Sequence, residues 1–195
     1  MRTFVGIALD EHFADALALA ADAIGEASPR WRQARWVPSQ NLHVTLKFLG
    51  DVPVGSVEDI AQSLDEALRS RRRAELAFDS CCAVPDHTRA RMIWALFTDP
   101  QGAVAELAGA VEDAVSVYDI PREERSFVPH VTMARAKRQK PVDLSVLESG
   151  SSLTRSALGQ DRVMSVGEAT LYKSTLSRAG ATYEILAQMP LEGSR

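Results

Sequence analysis

An excess of positive charge is the first thing this sequence lacks. Its 195 residues carry 22 Lys and Arg against 26 Asp and Glu, a formal net charge of -4. That excludes a protein that coats nucleic acid nonspecifically, because such affinity comes from neutralising many phosphates. A nucleic-acid end held in a small basic cleft stays open. Cysteine is scarce too: Cys81 and Cys82 are adjacent, and chain neighbours rarely meet disulfide geometry. With no secretory signal in MRTFVGIALDEH, whose short apolar run is broken by Asp10, the expectation is a reducing cytoplasm and no membrane span. Low-complexity tracts and clean linkers are also missing. With 46% hydrophobic residues the chain reads as one domain over 1-195, an acidic monomer with ample core.

What is present is an alternation of strand-like and helix-like runs. Thr3 to Leu9 predicts a strand, and Asp10 is placed to cap a helix from Glu11 to Ala27. Asn41 to Leu49 predicts a second strand, ended by Gly50-Asp51-Val52-Pro53. Ser56 opens a capping-box variant before the stripe Ile60, Leu64 and Leu68. Ala74 to Val84 and Arg91 to Thr98 predict a hairpin. Asp99-Pro100 opens a third helix, and Ile120-Pro121 stops it. Ser126 to Ala134 is expected to be a strand, Asp143 to Leu147 a short helix and Ser149-Gly150-Ser151-Ser152 a flexible loop. Arg162 to Tyr172 and Thr182 to Gln188 complete the strands, with Ser177-Arg178-Ala179-Gly180 turning between them. Two strand-and-helix halves follow one another, so an internal repeat is expected.

The repeat carries the chemistry. Within NLHVTLKFLG, His43-Val44-Thr45 places two polar groups in an apolar run, and FVPHVTMAR repeats the triplet as His130-Val131-Thr132, 87 residues on. Strand alternation puts His43 and Thr45 on one face and Leu42, Val44, Leu46 and Phe48 on the anchoring one. If the halves pack about a pseudo-twofold axis, two imidazoles and two hydroxyls converge. Hydroxyls can donate to phosphoryl oxygens, and imidazoles exchange protons near neutrality. One protonated and one neutral histidine form an acid and base pair, the two roles that phosphodiester hydrolysis needs at once.

These residues resemble the 2H phosphoesterases, and among them the bacterial and archaeal RNA 2',3'-cyclic phosphodiesterases, also known as 2'-5' RNA ligases. The likeness runs from Phe4-Val5-Gly6-Ile7 through Trp36-Val37-Pro38 and Arg91-Met92-Ile93-Trp94 to Leu171-Tyr172-Lys173-Ser174 and Tyr183. The resemblance implies an α+β, bilobal fold with antiparallel sheets lining a central cleft and helices outside. It implies opening of an RNA terminal 2',3'-cyclic phosphate to a 2'-phosphomonoester without metal or ATP, and ATP-independent 2'-5' joining as the reverse. His43 is then the proton donor to the departing 3'-oxygen, His130 the base that activates water, and Thr45 and Thr132 hold the phosphate. The residues alone do not distinguish acid from base, because the motifs are near-equivalent.

Arg135 matches an arginine usual after the second motif, yet its parity opposes His130, so it reaches the cleft only if the strand bends. Lys47 has the parity of Thr45 and is expected to add positive potential. Phe48 is expected in the core, and Trp36 and Trp94 read as packing residues. The chain departs from the family between Phe78 and Arg91, where Cys81 and Cys82 read as inert small hydrophobes. Expected partners are RNA 3' ends or small cyclic nucleotides, such as ADP-ribose 1'',2''-cyclic phosphate, or a 2'-5' oligonucleotide. A noncatalytic RNA-end binding module is the alternative from another class. A metal hydrolase would need a further carboxylate or histidine at ligand spacing.

Overall fold

The computed structural model describes residues 1–177 and 180–192. Thirteen elements matter to the site: β1 (Arg2–Ala8), α1 (Glu11–Ala27), β2 (Arg35–Trp36), β3 (His43–Asp51), α2 (Val57–Leu68), β4 (Ala74–Val84), β5 (Ala90–Thr98), α3 (Ala103–Val115), β6 (His130–Lys140), α4 (Leu144–Leu158), β7 (Val163–Val166), β8 (Glu168–Leu176) and β9 (Ala181–Pro190). The expected antiparallel sheets are joined into one, in the order β7-β4-β5-β6-β3-β1-β8-β9, with β2 alongside β6. Its two halves meet where β3 pairs with β6 through a single register pair, Val44 with Val131. Both valines are fully buried. The α+β architecture is the one expected.

Helices cover one face of the sheet and leave the other open. α1 packs on α4, and α2 packs on α3. α1 begins where expected because Asp10 Oδ1 accepts from the Phe13 N–H at 2.9 Å. Its buried stripe is Phe13, Leu17, Ala20 and Ile24. In α2 the stripe Ile60, Leu64 and Leu68 is buried, but Ser56 makes no side-chain cap. α3 starts later than Asp99-Pro100 predicts: Gly102, at φ 70°, is the cap. Asp99 still serves it, with Oδ2 accepting from the Ala105 N–H at 2.9 Å.

Three expectations are corrected. β6 begins at His130 and runs to Lys140, so the second motif opens its strand instead of ending it. The expected Ser149–Ser152 loop is the middle of α4, a helix of 15 residues. Small residues are required there by a close helix crossing, since a Cβ on Gly150 would lie 2.6 Å from Ile24 Cδ1. Ser151 is buried and its Oγ accepts from the Cys81 N–H at 2.8 Å. The strand expected from Arg162 to Tyr172 is split into β7 and β8. Of the Ser177–Gly180 turn, residues 178 and 179 lie outside the described residues. Among the described residues no helix is long and apolar enough to cross a membrane.

Candidate active site

Each histidine opens its strand and is set by the backbone just before it. The His43 Nδ1 lies 2.8 Å from the Asn41 carbonyl oxygen, and the His130 Nδ1 lies 2.8 Å from that of Val128. A carbonyl oxygen can only accept, so each Nδ1 carries a proton, and proton exchange in the cavity falls to Nε2. Both rings line one cavity of about 620 Å³, together with Thr45, Thr132 and Arg135. Among the described residues no Asp or Glu lines it. An acidic protein thus presents an electropositive cleft.

Strand parity alone does not place these side chains. In the pairing of β1 with β3 the register passes from Lys47 to Thr45 and skips Leu46. In that of β5 with β6 it passes from Ala134 to Thr132 and skips Met133. Each skip is a bulge, which turns the rest of the strand over. Leu46 and Lys47 are therefore both buried and Phe48 is exposed; Met133 and Ala134 are both buried and Arg135 is exposed.

The bend that Arg135 needs is this bulge. Its Nη2 donates to Thr132 Oγ1 at 3.4 Å, joining the guanidinium to the second motif. Lys47 is a correction. It is 6% exposed, donates to the Pro121 carbonyl at 2.7 Å and pairs with Glu112 of α3 at 2.9 Å. It braces the back of the sheet and adds nothing to the cleft. Phe48 is a correction in the opposite sense: expected in the core, it is 58% exposed and lines the cavity. One signal in the sequence marked it, because Phe48 follows His43 by the same five positions as Arg135 follows His130.

The two imidazoles sit in different aromatic surroundings. His43 lies 4.7 Å from the Phe4 ring at 30° and takes Tyr183 nearly edge-on at 5.2 Å. Gly6 allows β1 to come this close, since a Cβ there would stand 3.0 Å from the Val44 oxygen and 3.4 Å from His43 Cδ2. His130 stacks on Trp94 with centroids 3.7 Å apart and planes at 23°. Trp94 is thus a neighbour of the site as well as a packing residue. Burial holds both imidazoles below the ordinary value of 6.5, the carbonyl bonds pull the other way, and the Arg135 charge lowers both further. Nearby His130 lowers His43 as well. Cys81 is buried, and burial pushes its thiol up to about 11, which keeps it unreactive. Among the described residues no three His, Cys, Asp or Glu side chains are grouped to hold a metal ion.

Comparison with known proteins gives the family and the fold. The family model for LigT-like phosphoesterases matches residues 7–94. The RNA 2',3'-cyclic phosphodiesterase of Methanothermobacter thermautotrophicus is 30% identical over 94% of this chain and 95% of that protein. The chain therefore belongs to the RNA 2',3'-cyclic phosphodiesterase family of LigT-like phosphoesterases. In fold it is similar to TT0787 of Thermus thermophilus, at a TM-score of 0.79 and 24% identity over the whole of both chains. Escherichia coli LigT complexed with 3'-AMP follows at 0.68 and 22%, covering 98% of each.

Proposed function

We propose that this chain opens the 2',3'-cyclic phosphate at an RNA end to a 2'-phosphomonoester, using His43 and His130 as a proton-transferring pair. Water attacks phosphorus and gives its proton to one imidazole Nε2. The P–O3' bond breaks, and the departing 3'-oxygen takes a proton from the other. With the roles the family resemblance implies, His130 is the base and His43 the acid. Thr45 and Thr132 hydroxyls donate to the phosphoryl oxygens, and Arg135 offsets charge that builds on them. When a 5'-hydroxyl attacks in place of water, with the same P–O3' bond breaking and the same two proton transfers, the ends are joined through a 2'-5' linkage.

The observation that carries this reading is the matched pair of Nδ1-tethered imidazoles lining one cavity that, among the described residues, no carboxylate lines. The activity named for the archaeal relative supports the substrate. As part of the same reading, the chain is one domain of two pseudo-symmetric lobes, acting as a monomer in the cytoplasm on RNA 3' ends. An RNA ending in a 2',3'-cyclic phosphate, incubated with the protein in EDTA and followed by phosphorus NMR, should give the 2'-phosphate. Absence of turnover, or a 3'-phosphate product, overturns the reading.

A further inference from the structure

Asn41 makes two bonds that meet at the first histidine. Its carbonyl oxygen accepts from His43 Nδ1 at 2.8 Å, and its side-chain Nδ2 donates to the Ala181 carbonyl of β9 at 2.9 Å, 140 residues along the chain. The turn that carries it, Ser39–Asn41, is shaped by its own backbone: the Asn41 N–H donates to the Pro38 carbonyl at 2.9 Å and the Leu42 N–H to that of Ser39 at 3.0 Å. Those bonds give the turn its form. The amide bond to β9 sets where that form stands against the sheet. Two residues further along β9, Tyr183 meets the His43 ring nearly edge-on at 5.2 Å, so the ring and the carbonyl that orients it are both placed from one strand.

The second motif is placed differently. Val128 supplies the carbonyl for His130, but its side chain is apolar and 48% exposed. The neighbouring Pro129 carbonyl accepts from the Phe97 N–H of β5 at 3.0 Å, which continues the pairing of β5 with β6 one step beyond Leu96 and His130. Sheet backbone thus carries the carbonyl of the second motif, and a side chain carries that of the first. We infer that Asn41 is a positioning residue for His43: its amide, anchored on β9, holds the carbonyl that keeps the proton of the neutral ring on Nδ1 and so leaves Nε2 to the cavity. The inference rests on the proposed activity and deepens it. A histidine that gives and regains its proton at one nitrogen loses rate when the other tautomer or another ring orientation is populated.

The test uses Asn41→Ala, which removes the amide and leaves every backbone carbonyl in place. It should lower kcat on a cyclic-phosphate RNA about tenfold, the scale of one hydrogen bond, with KM little changed. With histidine labelled in 15N, long-range proton–nitrogen NMR at alkaline pH should show neutral His43 passing from the Nδ1–H form to a mixture of tautomers, while His130 keeps the Nδ1–H form. Asn41→Asp has the same shape but, ionised, offers the Ala181 carbonyl only acceptors, so it should lose as much rate; it carries the same comparisons if Asn41→Ala does not fold. In His43→Asn, which has no imidazole to position, adding Asn41→Ala should cost little more, because both changes act through one group. A tenfold loss repeated in that background, a rise in KM in place of the fall in kcat, or tautomers that shift alike at both histidines makes Asn41 a ligand contact or a fold element and overturns the inference. No turnover by the parent protein, or none lost in His43→Asn alone, defeats the proposed activity instead, and the tautomer of His43 then decides on Asn41 by itself.

Discussion

In β3 the residue five past the histidine is Phe48; in β6 it is Arg135. Everything between them in backbone terms is alike. Each histidine is tethered through Nδ1 to the carbonyl two residues before it, each strand bulges three residues after it, and each bulge delivers the fifth side chain to the same cavity. The contents differ. One strand presents an aromatic face and the other a cation, and at the fourth position one buries Lys47 and the other Ala134. The frame is thus common to both strands, while the fifth position makes the two sides of the cavity differ.

The largest effect should come from breaking what the strands share. His43→Asn and His130→Asn are each expected to lower kcat by about 10² to 10⁴, measured on a cyclic-phosphate RNA. Because the histidines act as one unit, the double variant should be scarcely slower than the worse single one. Fully multiplicative losses would mean that each acts alone. Next comes what the strands do not share. Lys47→Met leaves Glu112 facing the sheet without its cation and should cost about 3 kcal/mol in urea unfolding. A loss below about 1 kcal/mol would place the pair with ordinary surface bridges.

Lys47 also shows why only part of the site could be read from sequence. Strand parity correctly separates His43 and Thr45 from Val44 and Leu46, because that stretch precedes the bulge. Beyond it the alternation turns over, so Lys47 and Phe48 exchange the roles expected of them. A bulge is one extra residue in a pairing with another strand, and neither strand alone records it. The matching offset of Phe48 and Arg135 was legible, but only as a repeat. Helices followed the same logic. α1 was legible from Asp10 and its apolar stripe, which are local features. The centre of α4 was not, because Gly150 and Ser151 are small for the sake of Ile24 and β4, contacts that lie far along the chain.

A smaller effect is expected where the strands diverge within the cleft. Arg135→Met removes a charge-assisted donor and should reduce kcat/KM about 10- to 100-fold. Phe48→Ala removes a stacking face and should raise KM about 5- to 20-fold with kcat little altered. Arg135→Met should also flatten the salt dependence of KM, since a cation at the phosphate is lost; Phe48→Ala should leave that slope alone. If both variants behave alike in salt, the fifth positions are interchangeable and the contrast fails.

The smallest effect concerns the partners of the two rings. Burial and the Arg135 charge hold both imidazoles below 6.5, so the folded protein takes up protons less readily than the unfolded chain. Its stability should be level above about 6.5 and decline as pH falls from there toward the lower folded values. For the same reason the bell in kcat/KM, which reports the free protein, should peak on the acid side of that value. Trp94 enters here. Its face lies 3.7 Å from the His130 ring, where the indole quadrupole favours the imidazolium over the neutral ring; His43 has instead the more distant Phe4 ring, 4.7 Å away at 30°. Trp94→Leu should therefore move the His130 midpoint, followed by its Cε1–H signal in proton NMR, further down, and leave that of His43 almost in place. The accompanying loss of rate should be about two- to fivefold, the size of one cation–π contact. If His130 shifts upward instead, lost desolvation outweighs the stacking, and Trp94 acts on the imidazole as a cover rather than as a partner.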